Sequence, residues 1–211
     1  MRQTAVQFVK AISARFSRHC PLVWSVRQHG GRVAITFDDG PTDETPQVLA
    51  CLARYGASAT FFVLVDQVAH RSDVLKQILA DGHEVGIHGY QHSLRDYYSQ
   101  IQRSVAELAE YGVFPSIVRT PGCVIKPLLT MRLWWRGYPS VIYSFDAHDS
   151  MRFESKWSGP APDYSRIQGG DIILMHDDNS LCVHDLPSLL ETVREKDLRA
   201  VTVSELIKHR S

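Results

Sequence analysis

An α/β fold of parallel strands covered by helices is predicted by three features of this sequence. Short β-rich runs alternate with amphipathic helical patterns, the runs end in Gly, Pro, Asp or His, and no repeat, low-complexity stretch or charge block breaks the rhythm. The runs are Val33–Phe37, Thr60–Val65, Glu84–Ile87, Ser116–Val118, Ser140–Phe145, Asp171–Met175 and Ala200–Val203, seven candidate strands in all. Between them, Pro46–Tyr55 carries Val48, Leu49 and Leu52 on one face and stops at Gly56, and Ser72–Asp81 carries Val74, Leu75, Ile78 and Leu79 and stops at Gly82. Ile101, Val105 and Leu108 mark a third helix before Gly112, and Leu186, Leu189, Leu190 and Val193 mark a fourth. Such alternation fits either an open doubly wound sheet or a barrel, and in both the ligand groups belong at the C-terminal ends of the strands. The stretch from Ser150 to Ile167, rich in Pro and polar residues, reads as a long surface loop.

Composition bounds the function. A length of 211 residues suits one domain with a large core, and 23 basic against 23 acidic residues leave no net charge to hold a polyanion, so a nucleic-acid partner is not expected. The longest apolar runs, such as Phe61 to Val65, are far too short for a membrane span. Cys20, Cys51, Cys123 and Cys182 show no paired spacing and read as reduced thiols. The first residues are basic, but Gln3, Gln7, Lys10 and Arg15 interrupt the apolar stretch that a secretory signal needs. Cytoplasmic residence is therefore the expectation, with peripheral membrane association through an amphipathic N-terminal helix as the alternative. Residues 1–32 are expected to form a helical extension and 33–211 the main domain.

Polar clusters follow the strands directly. In Thr36-Phe37-Asp38-Asp39-Gly40-Pro41, adjacent carboxylates on a continuing strand would point to opposite faces, but Gly40-Pro41 turns the backbone and lets both face one pocket. His88-Gly89-Tyr90-Gln91-His92 places imidazoles four residues apart, a spacing that converges on a metal from a compact loop. Taken singly, the first cluster also fits a capped turn and the second a polar surface. Together at strand ends of one sheet, they point to a metal site with one carboxylate and two imidazoles. His176, closing the strand Asp171–Met175, is placed to act as a general acid. Arg119, Asp146 and Asp149 are further strand-end groups, each equally compatible with a rim salt bridge.

The order of these groups, Thr36 to Pro41, then His88 and His92, then Arg119-x-Pro121, then Asp146-x-x-Asp149, then Leu174-x-His176, resembles the five motifs of the polysaccharide deacetylases, carbohydrate esterase family 4. The resemblance runs from about Val33 to Leu206. It implies a distorted (β/α)7 barrel and metal-dependent removal of an acyl group, usually N-acetyl, from a sugar. By motif matching, Asp39, His88 and His92 would hold a divalent ion, Zn²⁺ foremost with Co²⁺, Ni²⁺, Fe²⁺ or Mn²⁺ as alternatives, and Asp38 would be the general base. Arg119 would hold Asp38, His176 would protonate the leaving amine with Asp149 orienting it, and the Gly122 N–H would help to bind the oxyanion.

Two positions depart from the family pattern. Gly122-Cys123 stands where an aromatic residue usually follows the motif proline, and Ser150 stands where a Trp usually follows the second Asp, so two rings that line the sugar cleft are missing. Trp134, Trp135, Tyr138, Tyr143 and Trp157 are the candidates to replace them. The expected activity is deacetylation of an N-acetylated sugar or oligosaccharide, with a nucleotide- or lipid-linked precursor preferred to a wall polymer. The alternatives are the same hydrolytic machinery acting on a non-sugar amide or imide, and a catalytically silent domain that binds glycan or a partner.

Overall fold

The computed structural model describes residues 21–27 and 30–208. In chain order the elements are β1 (Leu22–Val23), β2 (Arg32–Asp38), α1 (Thr45–Arg54), β3 (Thr60–Leu64), α2 (Val65–Val68), α3 (Ser72–Ala80), β4 (Glu84–Gly89) and α4 (Tyr97–Glu110). There follow α5 (Pro127–Trp135), β5 (Ser140–Val141), β6 (Phe145–Asp146), α6 (Asp149–Phe153), β7 (Ile172–His176), α7 (Ser180–Glu195), β8 (Arg199–Val201) and α8 (Val203–Lys208). Short 3₁₀ turns lie at Pro121–Cys123 and Tyr164–Arg166.

The strand pairs are parallel and close into an irregular ring. β2 pairs β7 on one side; on the other it pairs β8 along its first residues and β3 along its last. From β3 the ring passes to β4, through single bridges at Val118 to β5, and on to β1. A bridge between Ser25 and Asp171 carries it back to the start of β7, whose upper half pairs β6. This is the distorted barrel that the sequence implied.

The barrel differs from the sequence reading at several places, one of them Ser116–Val118, where only Val118 bridges its neighbours. The segment before residue 33 is not all helical extension, because Leu22–Val23 form a strand that closes the ring; residues 1–20 of that segment, with Cys20, lie outside the described residues. Ser140–Phe145 splits into β5 and β6, because the carbonyls of Val141 and Ile142 turn to the Arg119 side chain instead of a neighbouring strand. The expected loop after Ser150 begins as the helix α6. Cys51, Cys123 and Cys182 are free, as expected.

Strand alternation sorts the side chains. In β2, Val33, Ile35 and Phe37 pack outward under α1 and α7 with Leu49, Leu52 and Leu186, while Ala34 packs inside the barrel with Phe62, Ile172 and Val201. Thr36 and Asp38 share the inward phase of Ala34, as His88 shares that of Gly86 and His176 that of Ile172. The three catalytic candidates are thus carried to one rim by period two alone. Gly86 makes room for the interior: a Cβ there would sit 2.6 Å from the Phe62 ring. Phe62 is fully buried, so Phe62→Ala is expected to destabilise the fold by about 3–5 kcal/mol, read as a lower urea midpoint at unchanged slope.

Candidate active site

The turn after β2 brings both carboxylates to one cavity as expected, and begins one residue early. Asp39 itself has φ of 74°, in the left-handed region that Asp tolerates better than most residues, so its carboxylate leaves the strand phase and enters the same cavity as Asp38. Gly40 is required next, because a Cβ there would lie 2.2 Å from Asp177 Oδ2. The buried Asp177 accepts a hydrogen bond from the Thr45 hydroxyl, donates its N–H to the Asp38 carbonyl, and accepts the Thr42 hydroxyl at its own carbonyl. Burial pushes the Asp177 carboxyl up to about 7.

Asp38 and Arg119 form a buried pair. Arg119 Nη1 donates to Asp38 Oδ1 at 2.7 Å and to Thr36 Oγ1 at 2.7 Å, and its guanidinium lies over the Phe62 ring at 4.2 Å. Burial raises the Asp38 carboxyl, but the charge and hydrogen bond of Arg119, with His88 and His176 beside it, outweigh that and hold it below the usual carboxylate value. Asp38 stays ionised.

Asp39, His88 and His92 converge. Asp39 Oδ1 stands 3.4 Å from His88 Nε2 and 3.7 Å from His92 Nε2, and it is buried without a hydrogen-bond donor. Burial and then the Asp38 charge push the Asp39 carboxyl up to about 6, while burial pulls the His88 imidazole down to about 4, so His88 is neutral with a lone pair to offer. Metal–ligand bonds of about 2.0–2.2 Å at tetrahedral angles set ligand atoms about 3.3–3.6 Å apart, close to the spacing here. The donor set of one carboxylate and two imidazoles fits a divalent ion such as Zn²⁺ and leaves positions open for water and substrate.

Sequence reasoning missed the residues that set this loop. Gln100 on α4 accepts from the N–H groups of Tyr90 and Gln91 and donates to the carbonyls of Ser93 and Arg95, so its amide spans the segment carrying His92. The Tyr97 hydroxyl lies 2.9 Å from the His88 carbonyl and 3.0 Å from that of Arg119, joining the two motifs. The signal was the helical pattern itself, which placed α4 beside the His loop without saying which side chains turn inward.

His176 ends β7, with Nδ1 3.0 Å from Asp149 Oδ1 and its backbone N–H donating to Asp149 Oδ2 at 2.8 Å. A carboxylate only accepts, so Nδ1 carries the proton there and Nε2 is left for the cavity. Burial lowers the imidazole, but the hydrogen bond and charge of Asp149 more than reverse it, and the group is pushed up to about 9. Asp146 does not reach His176; its carboxylate accepts the His148 N–H at 2.7 Å. Of the two acidic candidates, Asp149 is therefore the partner. Gly122, at φ of 61°, and Cys123 line the same cavity of about 760 Å³.

The sequence of this chain is 31% identical over 205 residues to a peptidoglycan-N-acetylglucosamine deacetylase of Bacillus cereus, an alignment covering 90% of this chain and 94% of that one. The chain belongs to the polysaccharide deacetylase family. The family's model, described as polysaccharide deacetylase, matches residues 25–128, which carry the paired Asp, the two His and Arg119. The solved chitin deacetylase of Colletotrichum lindemuthianum superposes with a TM-score of 0.74 at 28% identity, over 88% of this chain and 90% of that one. A family 4 pseudoenzyme from Bacillus anthracis shares the fold, with a TM-score of 0.76 at 18% identity over 88% of this chain and 68% of that one. Fold alone therefore does not carry activity, and the side chains at the rim must. No helix among the described residues is long and apolar enough to cross a membrane.

The two aspartates are expected to fail differently. Asp38→Asn should keep its metal and lose turnover, whereas Asp39→Asn should lose both, as read by metal analysis of the purified variants; equal metal loss in the two would overturn this division. Gln100→Ala is expected to weaken metal affinity about tenfold by loosening the His92 loop, measured by competition with a chelating dye.

Proposed function

We propose that this protein is a metal-dependent N-deacetylase acting on N-acetylglucosamine-type residues of a glycan. The observation that carries the reading is the arrangement within one cavity: a three-ligand metal cluster with an unligated, ionised carboxylate and a separate imidazole–carboxylate pair. Asp39, His88 and His92 would hold a divalent ion, which when bound would supply Lewis acidity to water and to the acyl oxygen. Asp38, fixed by Arg119, takes one proton from the attacking water as its oxygen bonds to the acyl carbon. The C–N bond then breaks as the nitrogen takes the proton of His176, giving acetic acid and a free amine; the acid's proton restores His176 as acetate leaves, and Asp38 returns its proton to solvent. Gly122 is assigned by its place in the motif to the oxyanion side of the cavity. The names of the relatives, a peptidoglycan and a chitin deacetylase, favour a polymer over the linked precursor that the sequence alone suggested.

Base and acid are held in opposite states across a wide pH range. Asp38 is depressed and stays ionised, and His176 is raised and stays protonated up to about 9.

The function is tested by acetate release from N-acetylated chito-oligomers and peptidoglycan. Release is expected from metal-loaded protein, to vanish in chelator and to return on adding Zn²⁺; no release from any acetylated glycan by the loaded protein would overturn it. In metal-free protein His176 should titrate at about 9 by NMR, and Asp149→Asn should bring it down toward the ordinary imidazole value. An unmoved midpoint would exclude the pairing.

A further inference from the structure

One wall of the catalytic cavity has no role in the chemistry described so far. His148 sits between Asp146 and Asp149 and adopts φ of 53°, a left-handed conformation uncommon outside Gly that His tolerates better than most side chains. Its ring stacks on the Trp157 indole with centroids 3.9 Å apart and planes 20° from parallel. The indole is tied down in turn, its Nε1–H donating to the Pro160 carbonyl at 2.9 Å. Asp146 holds the backbone at this point, accepting the His148 backbone N–H at 2.7 Å, and its other carboxylate oxygen lies 3.3 Å from the ring Nδ1 without forming a hydrogen bond to it. His148 lines both the catalytic cavity and the neighbouring one, while Trp157 lines only the neighbour. The imidazole is thus backed by the indole at the border between the two cavities.

Such a plate has a chemical preference. A pyranose ring presents a face of C–H groups bordered by hydroxyls, and a flat aromatic wall covers that face without leaving polar groups unpaired. Cys123 and Ser150, which line the same cavity, offer no flat surface. His148 directly precedes Asp149, which orients His176, and both histidines line this cavity.

We propose that His148, backed by Trp157 and fixed by Asp146, is the sugar-binding plate of this cavity and packs against the glycan residue next to the one that loses its acetyl group. The proposal rests on the deacetylase reading and adds the residue that selects a chain over a single sugar. A purely structural stack, there to fasten the segment from Glu154 to Pro160, would make the same ring contact but would not sense substrate length.

The test is steady-state kinetics of the metal-loaded protein on N-acetylglucosamine oligomers from one to four residues, with oligomer binding followed by calorimetry. His148→Ala is expected to raise KM for the trimer and tetramer about five- to tenfold, with a much smaller change in kcat and a penalty that shrinks as the substrate shortens. His148→Phe, which keeps a flat ring, should recover most of that loss, and Trp157→Ala should reproduce it in part. A KM penalty independent of length, a loss confined to kcat, or a fall in melting temperature with no KM change would each overturn the plate. Wild-type inactivity on every oligomer would instead remove the deacetylase reading; calorimetry then decides the plate, which stands if wild type binds trimer more tightly than His148→Ala and falls if the two do not differ.

Discussion

The buried ion pair of Arg119 and Asp38 is the constraint around which the barrel is arranged. Arg119 is fully buried, and a guanidinium that has lost its water needs a hydrogen-bond acceptor for each donor it can supply. It finds Asp38, Thr36 and the carbonyls of Val141 and Ile142, and it rests on the Phe62 ring. Every one of these contacts is also an architectural fact. The two carbonyls interrupt the strand between Ser140 and Phe145, the Thr36 hydroxyl donates a hydrogen bond to the Ile173 carbonyl on β7, and Gly86 makes room for Phe62. Breaking such a pair typically costs about 3–5 kcal/mol, because the partner left behind is an uncompensated buried charge. The depressed carboxyl of Asp38, the property a general base needs in order to be ionised, is thus tied to the closure of the barrel.

Two adjacent carboxylates have different chemistry because the backbone turns between them. Asp38 remains in the phase of β2 and faces Arg119; Asp39, one residue later in a left-handed conformation, faces two imidazoles. The first is lowered by positive neighbours and the second raised by burial and by the first. A cation at Asp39 relieves both its burial and its repulsion from Asp38, which is why the pair suits a metal site better than a proton-sharing dyad. Asp177, packed where a side chain on Gly40 would stand, braces the turn from behind.

Much of this was legible in the sequence because period two and turn chemistry are local. A strand end is marked by its own residues, so the clusters of Asp38, His88 and His176 were placed at strand ends of one sheet before any contact was known, and Gly40-Pro41 announced the turn. What was not legible depends on partners distant in sequence. The break in Ser140–Phe145 follows from a side chain at position 119, and the shrinkage of Ser116–Val118 to a single bridging residue follows from the geometry of closing the ring. Leu22–Val23 carry too few residues to show a pattern, and they are a strand only because β5 offers them an edge. Gln100 looked like any polar residue on a helix.

The choice between Asp146 and Asp149 shows how three residues of spacing become two functions. Phe145–Asp146 still pair with β7, so Asp146 is held at the strand end, where its carboxylate accepts the N–H of His148 and turns the chain. That turn begins α6, and Asp149 in its first turn is fully buried against the end of β7, accepting the backbone N–H of His176 and contacting its ring. A carboxylate suits the first turn of a helix in any case, because the free N–H groups there favour negative charge. The same short segment therefore holds the acid from one side with Asp149 and presents the His148 ring to the cavity from the other. Asp146, which bonds to neither the metal cluster nor the acid, is the hinge between the two.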